Sequence, residues 1–284
     1  MTTLSLTDVI KNIRDLPALP VVVIELMNTL EQEDSNTHVL AEKVSRDQAL
    51  TAKTLRLANS SFYGMQSKVT TIHQAIAILG FNSVRTLVTA AAVLGNFSSS
   101  ENDAFNLQGF WRHSIATALC ARSLAHQLHV NQDYAFMVGL LHDIGKLVLV
   151  TRSPQHYAKV IAQQVAQDCY AIEAERTVLG IDHAMVGRAL AEHWKFPVLM
   201  QQAIASHHAP DGQGEGSLAS IVHVADCMVH ALDLCGDEQD LVPPVSALVW
   251  TSMNLDQDVL MRVFRETEMQ FDDASQILVS TQVR

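Results

Sequence analysis

The sequence has few of the residues that break helices or form tight turns. Of its 284 residues, 12 are glycine and 7 are proline. An all-β sandwich of this length would need a turn signal about every 8–12 residues. The scarcity of such signals therefore favours an all-α fold.

Long apolar runs are also missing. The best candidates, at 86–95 and 134–141, are well short of the ~20 residues that a membrane-spanning helix needs. The first residues, MTTLSLTDVIKNIRDL, include acidic side chains and lack the apolar core of a signal peptide. We therefore expect a soluble, cytoplasmic protein with no membrane partner.

Paired cysteines and excess positive charge are absent as well. No CxxC motif occurs, so neither a zinc ribbon nor a thioredoxin-like site is indicated, and reduced, mostly buried thiols are expected at Cys120, Cys169, Cys227 and Cys235. The formal net charge of −11 repels a nucleic-acid backbone, so we expect no nucleic-acid partner. A small phosphorylated ligand is compatible with this charge, because a bound cation can dominate the local field.

Apolar residues recur at helical spacing along most of the chain. This spacing predicts helices at 7–14, 21–31, 38–46, 48–59, 72–79, 84–97, 105–128, 133–142, 145–151, 154–168, 171–179, 183–193, 197–206, 217–235, 244–252 and 256–281. Thr71 and Ser83 are placed to cap the helices that follow them, and Gly80 to end a helix in the left-handed conformation. The polar stretch SSSENDA at 98–104 indicates a boundary. The predicted parts are a helical lobe at 1–100, a helical bundle at 101–235 and a helical tail at 236–284.

The sharpest chemical feature is His142–Asp143 in the segment AFMVGLLHDIGKLVLV. Burying an unpaired imidazole and carboxylate beside this apolar run would cost several kcal/mol, on the order of 2–7 for each polar group, and a metal ion would remove that penalty. Gly145 would allow the backbone to approach closely, and Lys146 could offer a charge to a phosphate. The alternatives are that Asp143 only caps the helix beginning at Ile144, and that Lys146 points to solvent.

Four further histidines have settings that suit metal ligands. His113 lies inside a helix with a clear core-facing side. His183 begins a helix that Asp182 can cap, and His207–His208 follow the end of another helix. Each of these residues, taken alone, also fits a packed or surface histidine.

Asp226 lies in LASIVHVADCMVHAL, a helix that is apolar nearly all round. A carboxylate buried there needs a partner, and a metal ion is a good one. His223 and His230 lie on the same face. They fit outer partners of the site, or solvent-facing residues, better than direct ligands. The whole ordered set, His…His-Asp…His…His-His…Asp, indicates a centre of nitrogen and carboxylate donors that suits iron, manganese, zinc or nickel.

Several long segments resemble the HDOD domain, a branch of the HD superfamily of metal-dependent phosphohydrolases. The resemblance covers roughly 10–235. It rests on LPALPVVVIELMNTL, VSRDQALTAKTLRLANSSFYG and TIHQAIAILGFNSVRTLV in the first half. In the second half it rests on FWRHSIATALCARSLA, AFMVGLLHDIGKLVL, DHAMVGRALAEHWKFP and IASHHAP.

The resemblance implies an HD-superfamily helical bundle with an added N-terminal lobe, and one or two divalent metal ions. It maps the core metal ligands of the superfamily onto His113, His142, Asp143 and Asp226. The related HD-GYP branch adds ligands that map onto His183, His207 and His208. Asp143 would then bridge two ions and Lys146 would steady a phosphate, which makes these two residues the catalytic candidates.

The sequence also departs from HD-GYP proteins. No GYP follows the histidine pair, which reads HHAPDGQG, and Gly109 stands where some members have a glutamate. A third metal and cyclic-dinucleotide specificity are therefore not implied. Two functions stay open: a phosphohydrolase acting on a nucleotide or phosphodiester, and a non-catalytic signalling or adaptor module. We hypothesise that the segment RLANSSFYG at 56–64 is a docking surface for a partner. The alternative is that it is an ordinary helix end, with Gly64 as the helix breaker.

Overall fold

The structure is a computed structural model that describes residues 13, 19–28, 37–59, 68–97, 105–212, 214, 216–235 and 241–280. Every regular element within these ranges is an α-helix, which confirms the expected fold class. The helices are α1 (Val21–Asn28), α2 (Thr37–Ser45), α3 (Gln48–Ala58), α4 (Ile72–Leu79), α5 (Phe81–Asn96), α6 (Leu107–Gln127), α7 (Gln132–Leu141), α8 (Ile144–Arg152), α9 (Pro154–Gln167), α10 (Ala171–Leu179), α11 (His183–His193), α12 (Val198–Ser206), α13 (Leu218–Ala231), α14 (Ala247–Met253) and α15 (Gln257–Ser280).

Two parts of the sequence interpretation fall largely outside the described residues. They are the helix expected at 7–14, apart from Ile13, and the boundary segment at 98–104. Most of the hypothetical docking surface, from Ser60 to Gly64, is also outside them. Among its described residues, Asn59 is half-buried and hydrogen-bonds to Val69 through both ends of its amide. Asn59 therefore fastens the end of α3 and is not free for a partner.

Side-chain capping fixes the starts of several helices. Asp47, Thr71 and Asp182 each accept a hydrogen bond from the backbone N–H three residues further along. These bonds satisfy N–H groups that the first helical turn leaves without a partner. The caps predicted at Thr71 and Asp182 are confirmed.

The joint between α4 and α5 differs from the prediction. Helix α5 begins at Phe81, so Ser83 lies inside it and is not its cap. Gly80 both ends α4 and precedes α5, with φ 83° and ψ 159°, which is not the left-handed helical conformation. A residue with a Cβ rarely adopts this backbone geometry, and glycine therefore lets the chain turn within a single residue.

Helices α5 and α6 organise the packing. Helix α5 contacts α1, α3 and α4, and it reaches the second half of the chain through α7. Helix α6 lies against α7, α13 and the last helix, α15. Arg112 of α6 stacks on Phe271 of α15, with 4.7 Å between the guanidinium carbon and the ring centre. The division of the chain at 100 and 235 stays a prediction, and α15 packs along the bundle it follows.

Among the described residues, the helical stretch Gln132–Arg152 is long and apolar enough to cross a membrane by length and composition. The sequence analysis considered only uninterrupted apolar runs and therefore did not predict this candidate span. Within the fold, however, 83% of its apolar window is buried inside the protein. Buried core helices pass the same test, so this stretch is weak evidence for a membrane span.

Candidate metal centre

The seven residues predicted as metal ligands lie in one cluster, although they come from five parts of the chain. All are buried except His208, which is partly exposed. Helix α6 contributes His113, the turn between α7 and α8 contributes His142 and Asp143, the start of α11 contributes His183, the end of α12 is followed by His207 and His208, and α13 contributes Asp226. Their role as ligands stays a prediction.

Asp143 is at the centre of this cluster. It precedes α8 at the capping position, yet its side chain makes no capping hydrogen bond. Its Oδ1 lies 3.0 Å from Nε2 of His183, and its Oδ2 accepts a hydrogen bond from Lys146 at 2.5 Å. A simple capping role for Asp143 is therefore wrong, because its two oxygens face other groups.

One set of donors surrounds Asp143 Oδ1. The imidazoles of His183, His207 and His208 offer nitrogen atoms that, with a carboxylate oxygen of Asp143, all lie within 4.8 Å of one another. The Nε2 atoms of His183 and His208 are 2.8 Å apart, and His207 Nε2 is 3.7 Å from Oδ1. Four donors so arranged are enough to hold one metal ion.

A second set lies on the other side of Asp143. His113 Nε2 is 3.2 Å from His142 Nε2 and 2.9 Å from Asp226 Oδ1. Oδ2 of Asp143 is 3.5 Å from His142 Nε2 and 4.0 Å from His113 Nε2. The two oxygens of Asp143 therefore face different donor sets, as a bridging carboxylate would.

Three buried atoms in the cluster have no hydrogen-bond partner. They are Asp143 Oδ1, Asp226 Oδ1 and His207 Nε2. Leaving such a group buried and unsatisfied costs about 1–3 kcal/mol, and more if it is charged. In each group of potential ligands the nitrogen and oxygen atoms lie within 4.8 Å of one another, so their lone pairs are concentrated in a small buried volume. The set fits a cation.

Backbone carbonyl oxygens orient two of the histidines through their Nδ1 atoms. His142 Nδ1 is 2.6 Å from the carbonyl oxygen of Gly139, and His207 Nδ1 is 2.8 Å from that of Ile204. A carbonyl oxygen can only accept, so each Nδ1 carries the proton. Each Nε2 is therefore free to offer its lone pair to the centre, which is the usual arrangement of metal-binding histidines.

His183 is held by Glu175, which the sequence analysis missed. Glu175 is fully buried on α10 and lies 2.6 Å from His183 Nδ1. It also accepts hydrogen bonds from the backbone N–H of His183 and from the hydroxyl of Tyr157. The available signal was weak: Glu175 is four residues from Ala171 and from Leu179, which places a carboxylate on the apolar side of its helix.

The electrostatics keep the carboxylates ionised. Burial alone raises the pKa of Asp143, but the charges of Lys146, His142 and His183 lower it well below its ordinary value. Burial lowers the pKa of His207, which is then neutral at pH 7. An ionised carboxylate and a neutral imidazole are the forms that bind metal ions.

His183 differs from the other histidines. Burial lowers its pKa, but the nearby carboxylates of Glu175 and Asp143 outweigh this and raise the pKa to about 9. The charge of Asp143 likewise outweighs burial and raises the pKa of Lys146 above its ordinary value. The cluster thus carries its own positive charges beside Asp143 when no metal is bound.

The two histidines flanking Asp226 on α13 have separate surroundings. Nδ1 of His223 is 2.8 Å from the carbonyl oxygen of His207, and His223 Nε2 accepts a hydrogen bond from the backbone N–H of Ser246. His223 therefore supports the segment that carries His207. His230 Nε2 lies 3.3 Å from Asp226 Oδ1.

Gly145 sets the distance between α8 and α11. A Cβ at this position would lie 2.0 Å from the carbonyl oxygen of His183 and 2.6 Å from the backbone nitrogen of Gly187. The two helix backbones are therefore in direct contact where His183 meets Asp143. This confirms the close backbone approach expected at Gly145.

The profile of the HDOD domain matches residues 16–210. An uncharacterised protein of Treponema pallidum (strain Nichols) is 26% identical over 238 residues, which are 82% of this chain and 45% of that protein. Ribonuclease Y of Lawsonia intracellularis (strain PHE/MN1-00) is 31% identical over 121 residues, which are 43% of this chain and 18% of the ribonuclease. The chain thus spans less than half the length of these two relatives.

A solved structure is similar over nearly the whole length. A candidate phosphohydrolase from Shewanella amazonensis SB2B is 29% identical, with a TM-score of 0.75. The similarity covers 97% of this chain and 98% of that protein.

Proposed function

Because the chain belongs to the HDOD family of the HD superfamily, we propose that it is a cytoplasmic signal-transduction protein and a metal-dependent phosphohydrolase. Its substrate is a nucleotide or another small phosphodiester. The observation that carries this proposal is that three buried atoms of the cluster, Asp143 Oδ1, Asp226 Oδ1 and His207 Nε2, have no hydrogen-bond partner.

The donor set fits one or two divalent ions. His183, His207, His208 and one oxygen of Asp143 would hold the first ion. A second would be held by His113, His142, Asp226 and the other oxygen of Asp143. Imidazole and carboxylate donors without thiolates suit iron, manganese, zinc or nickel. When bound, such ions offset the negative charge that develops on a phosphoryl group and increase the acidity of water.

Residues of this chain would orient the substrate and the ligands. Lys146 is the cation next to Asp143, and 19% of its side chain is exposed, so it lies at the edge of the cluster. A rotation of its flexible side chain would move the ammonium from Asp143 towards an incoming phosphate. Glu175 would keep the Nδ1 proton of His183 in place, so that Nε2 faces the centre.

A specific observation favours a second candidate, a non-catalytic signalling module that binds a protein partner. Asp143, His142, His183 and His207 are each at most 2% exposed, which leaves little room for a substrate to reach them. Lys146 is also already paired with Asp143. In this alternative the metal has a structural or sensory role.

The experiment that separates the two uses the full chain without a histidine tag. Its metal content is measured, and the protein is then loaded with Mn²⁺ or Fe²⁺ and assayed on aryl phosphodiesters, cyclic nucleotides, nucleoside triphosphates and short RNA. The proposal expects turnover that falls about 10²–10³-fold in Lys146→Ala with metal retained. The control is Lys159→Ala, which removes an exposed lysine on α9. Bound metal without any turnover would leave the non-catalytic candidate.

A further inference from the structure

One corner of the cluster contains a donor that neither the superfamily's core ligands nor the predicted set includes. His230 lies four residues after Asp226 on α13, so the two side chains share a helix face. His230 Nε2 is 3.3 Å from Asp226 Oδ1, and His113 Nε2 is 2.9 Å from the same oxygen. These three residues offer donor atoms that all lie within 4.8 Å of one another.

The spacing of these atoms suits a metal ion. Nitrogen and oxygen donors lie about 2.0–2.2 Å from a transition-metal ion, so neighbouring donors are about 3.0 Å apart at right angles and about 3.4 Å apart at tetrahedral angles. The distances from Asp226 Oδ1 to His113 and to His230 fall at these two values. Ordinary hydrogen bonds to Asp226 would give similar distances, so a second observation is needed.

That observation is the number of nitrogen atoms around one buried oxygen. Asp226 is 3% exposed, and its Oδ1 has no hydrogen-bond partner although nitrogen atoms of His113, His142 and His230 are within 3.6 Å of it. Three imidazole nitrogen atoms therefore surround one buried carboxylate oxygen. The rings of His113 and His230 are also tilted by 39°, with their centres 4.6 Å apart, and are not stacked face to face. Three donors that converge in this way define a coordination corner.

We propose that His230 is a further metal ligand and that it completes, with His113 and Asp226, the donor set on the α13 side of the cluster. The inference rests on the metal binding proposed above and extends its ligand set. His230 is the more solvent-accessible of the two histidines in this corner, with 17% of its side chain exposed against 9% for His113. His230 is therefore the histidine of this corner that lies nearer to solvent, and the ion belongs to the class of zinc, manganese, iron or nickel.

The test measures metal binding and not activity. The full chain is purified without a histidine tag, stripped of metal and titrated with Co²⁺, whose visible absorption reports the number and type of its ligands. Wild type is compared with His230→Ala and His230→Gln, and with His193→Ala as a control, which removes an exposed histidine at the end of α11. Circular dichroism with a chelator present checks that each variant folds. If His230→Ala does not fold, the glutamine variant, which keeps length and a hydrogen-bond donor, carries the test.

Both His230 variants are expected to lose one equivalent of Co²⁺, or to bind it more than about 100-fold more weakly, and to change the absorption spectrum. The factor is set above the 10–100-fold that loss of an outer partner costs. The control should match wild type. The inference is overturned if His230→Ala keeps the affinity, stoichiometry and spectrum of wild type. Restoration by glutamine also overturns it, because that result assigns His230 a hydrogen-bonding role. A wild-type chain that takes up no Co²⁺ overturns the metal proposal itself.

Discussion

Replacing Gly145 by alanine tests whether the contact between α8 and α11 builds the centre. The added Cβ would lie 2.0 Å from the carbonyl oxygen of His183 and 2.6 Å from the backbone nitrogen of Gly187. Real Cβ contacts under 3.0 Å are essentially never seen, and both neighbours are backbone atoms that cannot rotate away. The two helices must therefore separate by roughly 1 Å, which is the overlap to be relieved.

A shift of this size is large for a metal site. His183 Nε2 is now 3.0 Å from Asp143 Oδ1, and ligand distances are held to about ±0.2 Å in working sites. We expect metal affinity to fall at least about 10–100-fold, as for other changes that misplace a ligand. Overpacking should also lower the free energy of unfolding by about 1–3 kcal/mol. The higher helix propensity of alanine offsets up to ~1 kcal/mol of this loss.

The assay combines metal titration with thermal unfolding in a chelator, so that stability is measured apart from metal binding. The matched control is Gly95→Ala in α5, where a Cβ would meet only the flexible end of Lys53, at 2.7 Å. This variant should keep the affinity of wild type and lose no stability. A Gly145→Ala protein that binds metal and unfolds like Gly95→Ala would refute the reasoning.

Three further results are expected. His142→Ala and Asp143→Ala should each abolish the metal-dependent rise in melting temperature, which corresponds to about 2.7 kcal/mol at a metal concentration 100 times the Kd; an unchanged rise in both variants would contradict the assignment. Glu175→Gln should weaken metal binding about 10–100-fold, and Tyr157→Phe should weaken it less, because the tyrosine acts on His183 only through Glu175. Isothermal titration measures both affinities, and equal losses in the two variants would contradict this reasoning. Trp111→Ala in the fully buried core should cost about 3–5 kcal/mol of unfolding free energy, measured in urea, yet leave the metal stoichiometry unchanged in the folded protein.

The helices could be predicted closely because their signals are local. Apolar spacing and capping residues act within one or two turns, and the expected ranges 72–79, 171–179 and 183–193 agree with α4, α10 and α11. The errors lie at helix ends, where backbone geometry decides. Helix α13 stops at Ala231, short of the expected 235, and Asp233 nearby adopts a left-handed φ of 51°.

The sequence by itself determined the helical class, the family resemblance and the seven residues of the candidate centre. Only the tertiary structure decided how those residues meet: Asp143 turns one oxygen to each donor set, and Lys146 pairs with it. Glu175 entered the site in the same way, and only the structure showed that His230, which the sequence suggested as an outer partner, lies 3.3 Å from Asp226. The physical reason is the distance along the chain between the residues that interact. Hydrogen bonds and apolar stripes within a helix follow from neighbouring residues, whereas the contact of α8 with α11 at Gly145 depends on how separate helices pack.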